Sequence, residues 1–143
     1  MYVVGVGRRT LRSSAVTENQ IKSNEARILF REVIDNAGKG IFTGIGRWKD
    51  PPTVWVVSDE WYQRAQACLG KVDSVRVRKA SDALHHVRDV LDDAKEGIFT
   101  SINRWNGPTE AWFISDDWYQ EAKACLARQP APRRRQAERR EKP

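Results

Sequence analysis

An internal repeat constrains this chain more than any other feature of its sequence. Shifting the sequence by 57 residues aligns residues 22–69 with residues 79–126 without a gap, and 24 of the 48 aligned positions are identical. The six Trp fall into three matched pairs, and Cys68 matches Cys125. A unit of about 50 residues buries little surface alone, and two copies are too few for a solenoid. We therefore expect the copies to pack on each other about a pseudo-two-fold axis, as a dimer fused into one chain.

Each copy predicts the same order of elements, β-α-β-β-α, and therefore an α+β fold. Apolar periodicity predicts strands at 18–22, 41–47 and 54–57 in the first copy, and at 74–78, 98–104 and 111–114 in the second. Serines are expected at the helix N-caps, because a serine hydroxyl can accept a hydrogen bond from a free N–H of the first turn. They are Ser23 and Ser81 for the first helix of each copy, and Ser58 and Ser115 for the closing helices.

Positive charge is concentrated at the two ends of the chain, which has a formal net charge of +6. Residues 128–143 hold seven basic residues and two Glu, and residues 1–27 hold five basic residues and two Glu. The 100 residues between them carry a net charge of −2. Cationic ends on a nearly neutral body favour a polyanionic partner, although a solubilising tail has the same composition.

The composition divides the chain into four segments. A basic N-terminal arm at 1–16 precedes the first copy at 17–70, and the second copy follows at 71–127. The remaining segment, 128–143, is rich in Arg and Pro and is expected to be a disordered basic tail.

Several classes of protein are excluded by what the sequence lacks. No apolar run approaches the roughly 20 residues of a membrane span, and the N-terminus reverses the order of a secretory signal. Two Cys without Cys/His pairs favour a reducing compartment and give no structural zinc site. His85 and His86 point about 100° apart on a helix and are not expected to bind a metal. With no nucleophile–base pair or phosphate-binding Gly loop, we expect a cytoplasmic protein with no cofactor and no enzymatic activity.

The tryptophans are candidates for stacking on nucleobases, as in single-strand binding proteins. However, Trp55 and Trp112 lie in apolar strands, and Trp61 and Trp118 lie in the closing helices beside a tyrosine. We therefore expect these four side chains in the core.

Short motifs recur in the same order in both copies. The first copy carries Ser-Asn-Glu-Ala-Arg at 23–27, then motifs at 35–40, 45–47 and 51–59; the second carries their counterparts at 81–83, 92–97, 102–104, 108 and 115–116. In this order of elements, the motifs resemble the prevent-host-death (Phd/YefM) antitoxin family. The resemblance covers most of both copies.

The resemblance implies a dimer that binds operator DNA, and a C-terminal extension that folds on a cognate toxin. Here one chain would supply both halves of the dimer. We accordingly predict a repressor that binds double-stranded DNA as a single-chain pseudo-dimer in the cytoplasm, at the nucleoid. The alternative is a protein-binding antitoxin or adaptor that neutralises a toxin or binds another regulator, with DNA binding incidental. A third interpretation is a nucleic-acid compactor without sequence preference. The tail lacks the apolar periodicity of a toxin-wrapping helix.

Arg27 is the first candidate DNA contact. It is expected in the first turn of the helix after Ser23, where free N–H groups suit a phosphate and the guanidinium can reach a guanine. Its counterpart is Leu84, so the two half-sites would be read unequally unless a nearby basic residue substitutes. The other interpretation is a solvated Arg paired with an acid.

Arg47 and Arg104 occupy matched positions at the two hairpins and would form a symmetric pair of contacts. Their agreement is also explained by duplication alone. The remaining candidate DNA contacts are Lys79, Arg78 and Arg76 near Leu84, Lys49 in the first hairpin, and Arg8, Arg9 and Arg12 in the arm.

Overall fold

Within the described part of the chain, six strands form one mixed sheet, with three strands from each copy. The computed structural model describes residues 16–47, 50–70, 74–103 and 107–128. The strands are β1 (Thr17–Lys22), β2 (Ile41–Gly46), β3 (Val54–Ser58), β4 (Val75–Lys79), β5 (Phe99–Asn103) and β6 (Thr109–Ser115). Their order across the sheet is β1-β2-β3-β6-β5-β4.

Five helices cover the sheet and confirm the expected α+β class. They are α1 (Phe30–Gly38), α2 (Asp59–Leu69), α3 (Ala80–His85), α4 (Val87–Lys95) and α5 (Asp116–Arg128), with a 3-10 turn at Ser23–Glu25. None of these helices has the length and apolar character needed to cross a bilayer. The predictions for the arm at 1–15 and the tail at 129–143 lie outside the described residues.

The two copies meet along β3 and β6, which pair antiparallel at the centre of the sheet. Val56 lies opposite Phe113, its own counterpart 57 residues later. Val54 pairs with Ser115, and their counterparts in the other copy, Ala111 and Ser58, also pair with each other. The pairing is therefore the same seen from either copy.

The apolar runs in β3 and β6 are explained by burial on both faces of the sheet. Val54 and Val56 belong to a core under α1 and α4. Trp55 and Val57 belong to a second core under α2 and α5. The four tryptophans expected in the core are buried, with exposures of 3–6%. They are Trp55, Trp61, Trp112 and Trp118.

Two reciprocal hydrogen bonds join the copies beneath the closing helices. The indole N–H of Trp55 donates to Asp116 Oδ1 at 2.8 Å, and that of Trp112 donates to Asp59 Oδ1 at 2.8 Å. Each carboxylate stands in the first turn of the other copy's closing helix, where it also suits the helix dipole. The N–H of each buried indole is thus satisfied by a carboxylate of the other copy.

The closing helices have serine N-caps. The Ser58 hydroxyl accepts a hydrogen bond from the Trp61 N–H at 3.1 Å. The Ser115 hydroxyl accepts one from the Trp118 N–H at 3.2 Å.

The predicted N-caps Ser23 and Ser81 are wrong. The N-cap positions are Lys22 and Lys79, because β1 and β4 run directly into the turns that follow and end in extended backbone there. The Ser23 hydroxyl instead donates to the Gly46 carbonyl at 3.2 Å. The edge strands extend through Lys22 and Lys79, so these residues take the N-cap positions and the serines do not.

The first helical segment of each copy is also interrupted at a matched position, Leu29 and His86. The His86 N–H donates to the Ala83 carbonyl, as in a 3-10 turn. Its ring Nδ1 lies 3.0 Å from the Asp82 carbonyl, the group that an uninterrupted helix would pair with the His86 N–H. The first helix expected in each copy is thus divided into two shorter segments.

Gly44 and Gly46 allow a proline segment to pack closely on β2. A Cβ at Gly44 would lie 2.8 Å from Pro52 Cγ, and one at Gly46 would lie 2.9 Å from the Pro51 carbonyl oxygen. The second copy has Ser101 at the position of Gly44. The close contact holds the chain that leaves β2 against the sheet.

Cys68 and Cys125 form a disulfide between α2 and α5. The two matched cysteines come together because α2 and α5 pack against each other. They no longer support a reducing compartment, because disulfides persist mainly in oxidising ones.

Replacing both cysteines by serine is expected to lower the free energy of unfolding by about 2–4 kcal/mol, because the bond restricts the unfolded chain. Urea unfolding of the wild-type protein with reductant should give the midpoint of the double variant. Two titratable thiols in native protein purified without reductant would contradict the disulfide.

The edge strand β1 is fastened to α5 by a polar cluster. Glu18 Oε2 accepts hydrogen bonds from the Tyr119 hydroxyl at 2.6 Å and from Lys123 Nζ at 2.8 Å. Burial raises the pKa of Glu18, but these two hydrogen bonds and the charge of Lys123 outweigh it and lower the pKa overall. Burial and the Glu18 carboxylate raise the pKa of Tyr119. On the opposite edge, the position of Glu18 is taken by Val75, which is 43% exposed.

Glu18→Gln is expected to lower the free energy of unfolding by about 1 kcal/mol at pH 7, since the carboxylate is partly exposed. Because the folded state favours ionised Glu18, this stabilisation is present above the ordinary glutamate pKa. It is lost as pH falls through the lowered pKa of the folded protein. Urea unfolding at pH 7 and at pH 3 measures the difference, with Glu96→Gln, an exposed residue outside the cluster, as the control. An equal effect at both pH values would contradict the ionic role.

Candidate nucleic-acid interface

Arg27 and Arg47 lie at the same end of the sheet. Because β1 and β2 are parallel, Lys22 at the end of β1 lies opposite Gly46 at the end of β2. Arg47 follows β2 directly, and Arg27 lies in the turn before α1. Arg27 is therefore not in the first turn of a regular helix as expected, because the helix begins only at Phe30. Both arginines are exposed.

The two arginines line a cavity of about 710 Å³ that also receives residues of the second copy. Arg88 and Lys95 of α4 lie on its lining together with His85 and His86. The cavity thus lies between the copies, on the side of the sheet covered by α1 and α4. We call it the inter-copy cleft. Its apolar lining consists of Ile45, Val54, Leu84, Val87 and Leu91.

The basic side chains differ in whether an acid already neutralises them. Arg76 Nε lies 3.2 Å from Asp93, and Arg78 Nη1 lies 2.7 Å from Asp82. Arg76 and Arg78 were the candidates to replace the arginine that is absent at Leu84. Both are instead paired with acids on the helices of their own copy, α4 and α3.

Arg27, Arg47 and Arg88 have no acidic partner among the described residues. Their guanidinium groups are the ones available to an external anion at the inter-copy cleft. A guanidinium has five N–H donors in a fork that matches carboxylate and phosphate oxygens. Lys95 is different, because its Nζ lies 3.4 Å from Asp92 Oδ1.

Lys79 lies at the opposite end of the sheet from Arg47. It ends β4 and is paired with Asn103, the last residue of β5. Since β5 is antiparallel to β2, the end of β5 and the end of β2 point in opposite directions. Lys79 is exposed and is not brought near the inter-copy cleft. The other candidates lie outside the described residues: Lys49, Arg104, Arg8, Arg9 and Arg12.

The cleft is not repeated side chain for side chain in the two copies. Phe30 is buried and stacks on Phe113, with ring centroids 5.9 Å apart. Its counterpart Val87 is smaller and lines the cleft. Leu84, the counterpart of Arg27, also lines it. At these matched positions, the first copy contributes Arg27 to the cleft, and the second copy contributes Leu84 and Val87.

Sequence reasoning missed Arg88 and Lys95 as members of this site. The available signal was their spacing of seven residues, which places both on one face of a helix. The spacing alone does not predict that this helix face lies in the same cleft as Arg27.

The two adjacent histidines are fixed by backbone contacts. Nδ1 of His85 lies 2.8 Å from the Ser81 carbonyl, and Nδ1 of His86 lies 3.0 Å from the Asp82 carbonyl. Because a carbonyl oxygen only accepts, each Nδ1 is the donor in these contacts. Within the described ranges, no group of three or more His, Cys, Asp or Glu side chains could hold a metal ion.

No protein-family model matches the chain, and neither a curated protein nor a solved structure matches it. The function has to be inferred from the residues and their geometry.

Proposed function

We propose that the protein binds double-stranded DNA as a single-chain pseudo-dimer of the Phd/YefM antitoxin type and represses transcription. The observation that carries this proposal is the pair of exposed guanidinium groups, Arg27 and Arg47, at one end of the sheet without acidic partners among the described residues. Unneutralised arginines at a protein surface attract phosphates and can read guanine.

The pseudo-dimer part of the proposal is supported by the pairing of β3 with β6. Val56 faces its own counterpart Phe113, and the hydrogen bonds of Trp55 and Trp112 are exchanged between the copies. These are the contacts expected of an isologous interface, in which each surface is used twice. One chain then presents two related ends to a duplex.

The spacing of the two ends suits a short operator. The ends of β2 and β5 are separated by three strand spacings and by about six residues along the strands, which gives about 25 Å. That distance is less than the roughly 34 Å of one turn of B-DNA. Because Arg27 is replaced by Leu84 in the second copy, the two halves of the operator are expected to differ.

Arg27→Ala and Arg47→Ala are each expected to weaken binding to the operator by about 5- to 150-fold, equivalent to about 1–3 kcal/mol. Selection from random duplexes supplies the operator, and fluorescence anisotropy measures the affinity. Arg64→Ala is the matched control, since Arg64 is an exposed arginine on α2, on the other side of the sheet. Arg27→Ala should relax the preference for one half of the operator more than for the other.

Two results would refute the proposal. One is a selection that yields no enriched duplex sequence, which would favour the compactor. The other is an Arg27→Ala variant that binds DNA as tightly as Arg64→Ala does.

Removal of residues 129–143 is expected to weaken DNA binding by a similar factor for all sequences, because this segment holds six basic residues and two Glu. The slope of log affinity against log salt should become less steep, since fewer counterions are released. Anisotropy titrations at several salt concentrations measure both quantities. An unchanged slope would show that the tail does not contact DNA.

A further inference from the structure

We propose that the inter-copy cleft binds a small organic anion with an apolar body, and that this ligand antagonises DNA binding. The first part stands on the geometry of the cleft alone. The second part rests on the proposed function, because it assigns Arg27 and Arg47 to both ligands.

The size and shape of the cleft suit a small molecule. Its volume of about 710 Å³ lies within the roughly 300–1,000 Å³ of typical ligand sites. It lies where two copies meet, so both copies must be present to complete it. Its apolar lining includes Val87 and Leu91, each 8% exposed, above the more deeply buried Ile45 and Val54. An apolar group entering the cleft would cover this surface.

The charge of the cleft selects an anion. Arg27 and Arg47 come from the first copy and Arg88 from the second, and none of the three has an acidic partner in the described ranges. Of the two acids on the lining, Asp92 is paired with Lys95, which leaves Asp89 against three guanidinium groups. A carboxylate, sulfonate or phosphate group on the ligand would pair with these arginines.

The apolar lining of the cleft separates this ligand from a DNA backbone. A duplex is a wide, stiff rod, and its phosphates can reach exposed arginine tips at the rim. It cannot place an apolar group on Val87. A small anion can use the rim and the apolar surface together, and it then occupies the arginines that a phosphate would need. Competition between the two ligands follows.

The probe is 8-anilinonaphthalene-1-sulfonate, an aromatic anion that becomes fluorescent in apolar surroundings. We expect saturable fluorescence with one site per chain, and little competition by inorganic phosphate, which lacks an apolar body. Val87→Phe, which introduces the residue of the first copy, fills the cleft and should reduce affinity at least tenfold. Circular dichroism and thermal melting establish that this variant is folded.

A pair of matched arginines tests the ionic part. Arg88→Ala should weaken binding of the probe about tenfold. Arg31→Ala should leave it unchanged, because Arg31 is the counterpart of Arg88 in the first copy, is exposed, and does not line the cleft. Since both variants lose one positive charge, a general electrostatic effect would weaken the probe equally in the two.

The antagonism is measured by adding the probe to the full chain bound to labelled operator. Dissociation of the operator at probe concentrations that saturate the cleft supports the proposal, and it should require higher concentrations in folded Val87→Phe. DNA binding that is unaffected by a bound probe overturns the antagonism but not the ligand site. Probe binding by a protein that binds no DNA overturns the proposed function and leaves the site in place.

The ligand site itself is overturned by any of three results. These are no saturable fluorescence, equal affinity in folded Val87→Phe, or equal weakening by Arg31→Ala and Arg88→Ala.

Discussion

The antiparallel pairing of β3 with β6 is the constraint on which the rest of the structure depends. A single copy would present β3 as a sheet edge with unpaired backbone groups and apolar side chains on both faces. Pairing with β6 satisfies that edge and extends each sheet of three strands to six. It also brings each closing helix next to the other copy, so that Trp55 and Trp112 each find a carboxylate partner there. The disulfide depends on the same arrangement, because the pairing of β3 with β6 places α2 beside α5 and so brings Cys68 to Cys125.

The side chains that bridge the copies by hydrogen bonds or cap the closing helices are identical in the two copies. They are Trp55 and Trp112, Asp59 and Asp116, and Ser58 and Ser115. At the edges, Glu18 is bonded to Tyr119 and Lys123, whereas its counterpart Val75 is partly exposed. A change at such a position affects one edge only, whereas a change to one of the bridging side chains alters a contact between the copies.

Much of the fold was predictable from the sequence, because its signals are local or repeated. The 57-residue shift, the strand runs and the serines before acidic first turns predict the elements, and the apolar surroundings of Trp55 predict its burial. The break at His86 was not predictable, since apolar periodicity continues through it and the decisive contact is one ring nitrogen with the Asp82 carbonyl. The pairing of Cys68 with Cys125 requires knowledge of how α2 and α5 pack. Within the site, Arg27 and Arg47 were found from sequence, but Arg88 was not, because only the packing of α4 across from the first copy brings it there.

The inter-copy cleft shows how two repeats within one chain differ from two identical subunits. In a homodimer, every substitution appears twice, so a cavity that opens on one side opens on the other as well. In this chain, Phe30 stacks on Phe113, whereas its counterpart Val87 lines the cleft with Leu91. Arg27 likewise carries a charge where the second copy has Leu84. A protein with two identical halves has to use the same side chains for both halves of its partner. Two repeats within one chain are free of that requirement, so matched positions can differ, as Phe30 and Arg27 differ from Val87 and Leu84.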